Sequence, residues 1–197
     1  MNYALPPKII GICGGIGSGK SVVSRILRLR GACVYDCDLE ARRIMDSSEE
    51  VLDALHRRFG DEVCPPGGPI CRPALARHVF GSDEERDWIN ALVHRLVRED
   101  VAAWHDSLSR SGIERCYVES AILASSGLAD MCDEILLVSA PEDVRIERVK
   151  SRDSLDEDNI RKRIRSQQEE MRLVKSSGKP IVEINNDGDS PILSEIP

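Results

Sequence analysis

The stretch Gly14-Gly-Ile-Gly-Ser-Gly-Lys-Ser21 constrains this 197-residue chain more than any other. Its four glycines are costly, because glycine loses more backbone freedom on folding than any other residue. Such a stretch is justified where the backbone must adopt unusual dihedrals or where another group must approach it closely. The apolar run 8–13 before it is typical of a buried strand, and apolar residues at helical spacing over 21–30 follow it. The local prediction is a strand, a glycine loop and a helix.

These eight residues fit the pattern G-x-x-x-x-G-K-[ST] in full. In this context successive backbone N–H groups form an anion-binding nest at the positive end of the following helix. The pattern predicts that Lys20 reaches the terminal phosphates of a nucleotide and that the Ser21 hydroxyl binds Mg²⁺. The alternative is a glycine-rich turn that carries a lysine by chance. The ATP-binding residues predicted here are Gly15, Ile16, Gly17, Ser18, Gly19, Lys20, Ser21 and Val22.

Composition excludes several classes of protein. A net charge of −7 and a sequence pI of about 5.2 argue against a nucleic-acid partner. Seven cysteines without a C-x-x-C pair, together with scattered histidines, indicate reduced thiols rather than disulfides or zinc. There is no signal peptide pattern and no apolar run long enough to span a membrane. We therefore expect a cytoplasmic protein with small-molecule partners, whose oligomeric state the sequence does not indicate.

Five short apolar runs separated by helical patterns predict an α/β fold with a parallel sheet; they cover 8–13, 32–35, 116–118, 135–138 and 181–184. Helical patterns are predicted over 39–59, around 89–104, over 142–150 and over 156–175. The block 39–112 is too long for a simple crossover and is expected to form a helical subdomain. The predicted divisions are a core of 1–38, 113–150 and 176–197, an insertion of 39–112, and a lid with its following helix at 151–175.

Two carboxylates follow the second predicted strand, at the sheet edge where ligands bind in open α/β folds. Asp36 or Asp38 could accept the proton of an attacking hydroxyl or bind Mg²⁺ through water, and either could instead cap the next helix. The guanine-binding patterns D-x-x-G and N-K-x-D do not occur, which favours an ATP-using kinase of small molecules. Among several arginines between 145 and 165, Arg148 and Arg152 are the candidates for a phosphate-facing lid. A solvated helix face is the alternative for the others.

Together the motifs resemble the dephospho-coenzyme A kinase family over nearly the whole chain. The resemblance rests on GICGGIGSGKS, VYDCDLEAR, FGSDEERDWINALVHRLV, ESAIL, VSAPEDVRIERVKSRD, IRKRIRSQQ and IVEINNDG. It implies a P-loop NTPase-type three-layer sandwich with a five-stranded parallel sheet, a helical CoA-binding insertion and a small lid. It also implies transfer of the ATP γ-phosphate to the 3′-hydroxyl of dephospho-CoA, with Mg²⁺.

The resemblance implies roles for individual residues. Asp38 is the catalytic carboxylate, while Asp36, Arg42 and His94 belong to the acceptor side. Arg148 and Arg152 belong to the lid, Asn185 lies beside the adenine, and Glu119 binds Mg²⁺ through water. The family commonly has Thr where this chain has Val22, Asp where it has Glu119, and Pro where it has Arg95.

Two other classes stay open at this point. One is another small P-loop kinase with a different acceptor, for which an insertion as long as 39–112 is unusual. The other is an ATP-dependent binding module without catalysis, which has no need of an acceptor base such as Asp38.

Overall fold

A five-stranded sheet forms the core of the protein. The computed structural model describes residues 6–109, 111–153, 155–188, 192 and 196. All pairings are parallel and the strand order is β2-β3-β1-β4-β5. The strands are β1 Lys8–Cys13, β2 Cys33–Asp36, β3 Arg115–Glu119, β4 Glu134–Ser139 and β5 Ile181–Asn185. The predicted α/β fold and its five strands are confirmed.

The central position of β1 follows from its apolar sequence. Every residue of β1 after Lys8 is buried, as expected for a strand with neighbours on both sides in a parallel sheet. Ile10 and Ile12 pack in one cluster with Val23 and Leu27 of the next helix. The glycine loop therefore leaves the sheet from its most buried strand.

Eight α-helices are found in the described part of the chain. They are α1 Lys20–Leu29, α2 Cys37–Ser47, α3 Glu49–Phe59, α4 Arg72–Phe80, α5 Asp83–Leu108, α6 Glu142–Asp153, α7 Glu157–Ser166 and α8 Gln168–Lys175. A short 3-10 helix, Leu128–Met131, precedes β4.

Two helical predictions differ from the structure in the same way. The pattern over 39–59 is divided at Ser48, whose extended backbone (φ −77°, ψ 118°) starts α3. The pattern over 156–175 is divided at Gln167, which lies between α7 and α8 (φ −90°, ψ −2°). Apolar periodicity continues across both breaks, so it did not reveal them.

The chain divides into two compact units. One comprises the residues up to Asp36 and those from Ala103 onward, and the other is Cys37–Ala102. In the second unit Phe59 packs against His78 and Trp88, and the Arg58 guanidinium lies 4.6 Å from the Trp88 ring centroid. The prediction that 39–112 binds CoA stays a prediction.

Connections leave β1 and β4 in opposite directions across the sheet. β1 leads through α1 to β2 on one side, and β4 leads through α6, α7 and α8 to β5 on the other. Such a switch point opens a crevice at the carboxyl ends of the two strands, where ligands bind in open parallel sheets. The glycine loop lies at the β1 side of this crevice.

Candidate active site

The glycine loop has the backbone that its sequence predicts. Gly17 and Gly19 have positive φ angles of 77° and 98°, and Gly19 caps the N-terminus of α1. A Cβ on Gly19 would lie 2.1 Å from Asn186 Nδ2, and one on Gly17 would lie 2.6 Å from the Arg145 carbonyl oxygen. Each of these positions therefore requires glycine for two reasons: its positive φ angle and the lack of space for a Cβ.

The two chemical residues of the motif begin α1. Lys20 is its first residue and is half-buried, whereas Ser21 is exposed. Val22, where the family commonly has Thr, is 47% exposed. The N-terminal turn of a helix concentrates unpaired N–H groups and positive potential, which suits this end of α1 to an anion.

Two carboxylates lie side by side at the ends of β2 and β3. Asp36 and Glu119 are register partners, and Glu119 is also paired with Ile12 of β1. Asp36 Oδ2 lies 3.8 Å from Arg28 Nη2. Burial raises the pKa of Glu119 above its ordinary value, and the Asp36 charge adds to this, while the positive charges of Lys20 and Arg28 oppose it.

This donor set fits a magnesium ion. Hydroxyl and carboxylate oxygens, as supplied by Ser21, Glu119 and Asp36, are the hard ligands that Mg²⁺ takes. A nearby divalent cation would also favour the ionised form of Glu119, which burial alone disfavours. The assignment of Ser21 and Glu119 to Mg²⁺ stays a prediction.

Two arginines of α6 bind the glycine loop through its carbonyl groups. Arg145 Nε donates to the Ile16 oxygen at 2.8 Å, and burial lowers the pKa of its guanidinium. Arg148 Nη1 donates to the Asn186 oxygen at 3.0 Å and reaches the Gly17 oxygen at 3.4 Å. The sequence predicts Arg148 at this site and favours a solvated face for most of the other arginines. For Arg145 the solvated-face interpretation is wrong, because the residue is partly buried and its guanidinium bonds to the glycine loop.

Arg152, the other predicted lid residue, lies elsewhere on α6. Its guanidinium makes two bonds to the Asp153 carboxylate, at 2.6 and 2.7 Å, and its side chain is 62% exposed. The structure does not bring Arg152 to the glycine loop as it does Arg148.

Neighbouring asparagines after β5 differ in their surroundings. The predicted residue, Asn185, is exposed and its Nδ2 donates to Asp187 Oδ2 at 3.0 Å. Asn186 is 9% exposed, and its Nδ2 donates to the Ser18 oxygen at 2.8 Å. Its Oδ1 accepts from Arg148 Nη2 at 3.3 Å. Asn186 therefore braces the glycine loop, a role that the sequence reasoning did not assign.

Gln167 is the third contact of the loop that sequence reasoning missed. Its Oε1 accepts from the Ile16 N–H at 2.7 Å. The stretch IRKRIRSQQ, one of those on which the family resemblance rests, contains this residue, but the resemblance assigns it no role.

Three predicted site residues, the catalytic carboxylate Asp38 and the acceptor-side residues Arg42 and His94, belong to the unit Cys37–Ala102. Asp38 and Arg42 are exposed on α2, and His94 is half-buried on α5. Arg95, where the family commonly has proline, is paired with Glu99 at 2.9 Å and with Glu50, so its charge is compensated within this unit.

Among the described residues, no helix combines the length and the apolar character that a membrane span requires. The seven cysteines, all within the described ranges, are free thiols, as predicted.

Comparison with known proteins supports one family. Residues 8–191 match the family model of dephospho-CoA kinase. The dephospho-CoA kinase of Porphyromonas gingivalis is 41% identical over 167 residues, which cover 85% of this chain and 81% of the relative. That of Bacteroides fragilis is 36% identical over 187 residues, covering 95% and 88%.

Solved structures agree with this result. TT1252 from Thermus thermophilus has a TM-score of 0.76 at 34% identity, covering 96% of this chain and 93% of that one. The dephospho-CoA kinase from Campylobacter jejuni has a TM-score of 0.67 and covers 95% and 92%; at 19% identity it supports the fold alone. The matched range includes the glycine loop, the carboxylates at the sheet edge and the arginines of α6, and the chain therefore belongs to the dephospho-CoA kinase family.

Proposed function

We propose that this protein transfers the γ-phosphate of ATP to the 3′-hydroxyl of dephospho-CoA, the last step of CoA synthesis. The observation that carries the proposal is the family match over residues 8–191, which takes in every predicted site residue. Membership of a kinase family implies the use of ATP, and the glycine loop at the head of α1 supplies a fitting phosphate site.

Lys20 and the loop N–H groups are proposed to hold the β- and γ-phosphates. Ser21 and Glu119 are proposed to hold Mg²⁺, Glu119 through water. When bound, the ion would neutralise charge that develops on the phosphate oxygens. The half-buried position of Lys20 supports its role, because charge interactions are stronger where water is reduced.

Asp38 is proposed to accept the proton of the 3′-hydroxyl as the oxygen attacks the γ-phosphorus. A new P–O bond forms, the bond from that phosphorus to the β–γ bridging oxygen breaks, and ADP leaves. Asp36, Arg42 and His94 are proposed to orient the acceptor, with Arg42 facing its phosphates. The exposed position of Asp38 within its own unit leaves it accessible to a substrate.

Arg148 and Arg152 are proposed to neutralise transferring charge from the lid, and Asn185 to lie beside the adenine. The bonds of Arg148 to the glycine loop and to the Asn186 turn support a position near the phosphates. For Arg152 the proposal requires that its guanidinium release the Asp153 carboxylate and bind the substrate phosphates instead.

The test is release of ADP from Mg²⁺ and ATP, measured with and without dephospho-CoA, with the product identified by mass spectrometry. We expect strong stimulation by dephospho-CoA and none by AMP, adenosine or shikimate, with a product heavier by one phosphate. Lys20→Ala should lose activity at least about 100-fold, because it removes a charge on the transferring phosphate. ADP release that does not depend on dephospho-CoA would contradict the proposal that dephospho-CoA is the phosphate acceptor. Only the proposed ATP site would then stand.

We also propose a cytoplasmic location and small-molecule substrates without a nucleic-acid partner. The net charge of −7 supports the second point, since nucleic-acid binding usually needs a basic face. Fractionation of cells that express the protein, and a mobility shift assay with duplex DNA and RNA, would test the two statements.

A further inference from the structure

Two side chains one helical turn apart at the start of α8 bind two different loops. Gln167 directly precedes the helix and Glu170 is its third residue. Gln167 binds the glycine loop that follows β1, and Glu170 binds the loop that follows β3. Glu170 has no part in the proposed chemistry, yet it is one of the few charged residues buried in the described part of the chain.

The Gln167 contact belongs to a complete set of bonds around Ile16. The Ile16 N–H donates to Gln167 Oε1 at 2.7 Å, and its carbonyl accepts from Arg145 Nε at 2.8 Å. Its side chain packs against the cluster formed by residues of α6 and α7, among them Ile146 and Ile160. The middle of the glycine loop is therefore held through backbone and side chain by α6, by α7 and by Gln167 between α7 and α8.

The Glu170 contact is a two-point bond to backbone. Its two oxygens accept from the N–H groups of Ala124 at 2.7 Å and Ser125 at 3.1 Å, and the residue is 6% exposed. Hydrogen bonds to an ionised carboxylate are roughly twice as strong as those between neutral groups. They also compensate the burial of the Glu170 charge, which would otherwise be costly.

The loop that Glu170 binds continues directly from Glu119. Ser120 N–H donates to the Ile12 oxygen at 3.0 Å, so the start of the loop is tied to β1. Leu123 is fully buried and packs so closely on Gly11 of β1 that a Cβ there would lie 2.7 Å from it. Glu170 ties the following residues, so the segment 120–125 is held from both sides.

We infer that Gln167 and Glu170 together position the phosphate site: Gln167 sets the glycine loop, and Glu170 sets the loop that directly follows Glu119. Both are positioning residues, because each acts through another group. The inference rests on the proposed function for its catalytic consequence. It predicts that loss of Glu170 weakens Mg²⁺-dependent binding of ATP, whereas loss of Gln167 weakens ATP binding with or without Mg²⁺.

Glu170→Gln is the test of the first arm, with Glu169→Gln as its matched control. The glutamine keeps the size of the side chain but sets an NH₂ group against a backbone N–H, so that one bond is lost. Glu169 is the exposed neighbour, and it is paired at the surface with Arg172 at 3.3 Å. We expect amide hydrogen exchange at Ala124 and Ser125 to rise about tenfold in Glu170→Gln and to stay unchanged in Glu169→Gln.

Binding and turnover give the functional readout. The gain in ATP affinity on adding Mg²⁺ should shrink at least about threefold in Glu170→Gln, and kcat should fall about tenfold with the dephospho-CoA KM unchanged. Gln167→Met, of similar length but without the acceptor, should weaken ATP binding about equally in the presence and absence of Mg²⁺.

Unchanged exchange at residues 124 and 125 in folded Glu170→Gln would overturn the inference, as would faster exchange with unaltered Mg²⁺ dependence. If Glu170→Gln does not fold, amide exchange is measured in the unmodified protein instead. Unprotected amides at Ala124 and Ser125 would overturn the inference. If these amides are protected, the binding test is repeated with Glu170→Asp. Failure of the proposed function is distinguishable, because absence of turnover with dephospho-CoA leaves the exchange and ATP-binding results intact.

Discussion

Asn186→Ala is the substitution for which the structure makes the sharpest prediction. Asn186 is 9% exposed, and its Nδ2 donates to the Ser18 carbonyl oxygen at 2.8 Å. Ser18 is itself only 1% exposed. Alanine removes this donor and also the Oδ1 that accepts from Arg148 Nη2 at 3.3 Å. The main-chain bonds of residue 186, to Ser139 and from Arg148, persist.

The magnitude follows from these two losses. A buried acceptor that loses its donor lowers the free energy of unfolding by about 1–3 kcal/mol. Loss of the side-chain contact with Arg148 lowers it by less, because Arg148 keeps its bond to the main-chain carbonyl oxygen of residue 186. We expect the free energy of unfolding to fall by about 2–3 kcal/mol. For a chain of this length that corresponds to a decrease in Tm of about 5–10 °C.

The assay is thermal unfolding followed by circular dichroism, with Asn185→Ala as the matched control. Asn185 is exposed and its Nδ2 donates to Asp187 at the surface, so its loss should change the free energy of unfolding by no more than about 0.5 kcal/mol. The KM for ATP should also rise severalfold in Asn186→Ala. Equal Tm values for the two variants would refute the reasoning, since they would show that the loop is not braced by Asn186.

Three further substitutions test the site. Gly19→Ala places a methyl group 2.1 Å from Asn186 Nδ2 at φ 98° and should destabilise the protein by about 3 kcal/mol; a Tm within 2 °C or so of the unmodified protein would contradict this. Glu119→Gln should raise Tm at pH 7 but not at pH 4, while it lowers kcat. The folded state raises the pKa of this carboxyl, so stability falls as pH rises from the unfolded pKa through the folded one, and glutamine removes that loss. An equal difference in Tm between Glu119→Gln and the unmodified protein at both pH values would contradict this prediction. Asp38→Asn should lower kcat about 10²–10⁴-fold in the ADP-release assay, and a larger loss in Asp36→Asn would show that the two roles are reversed.

Local features were predictable because their physical causes are local. The glycine spacing predicted the loop, Lys20 and Ser21, and the apolar runs predicted the five strands. The signal is clearest for β1, β3 and β4, because strands buried on both faces need continuous apolar sequence. The order of the motifs predicted the family, and the family-model match over residues 8–191 confirms that prediction. The two breaks at Ser48 and Gln167 were not predicted, because the apolar periodicity continues across each of them.

Tertiary structure alone decided which polar residues reach the phosphate loop. Asn185 and Asn186 are identical in type and adjacent, but side chains alternate along the extended chain, and only the second is directed to Ser18. Arg145 and Gln167 look like surface residues in the sequence, yet both bond to Ile16, more than 120 positions away. Glu170 differs from its neighbour Glu169 only by its place around α8, which buries it against Ala124 and Ser125. Composition and spacing determine which elements form; the contacts between distant loops depend on how parallel strands bring their ends to one edge of the sheet.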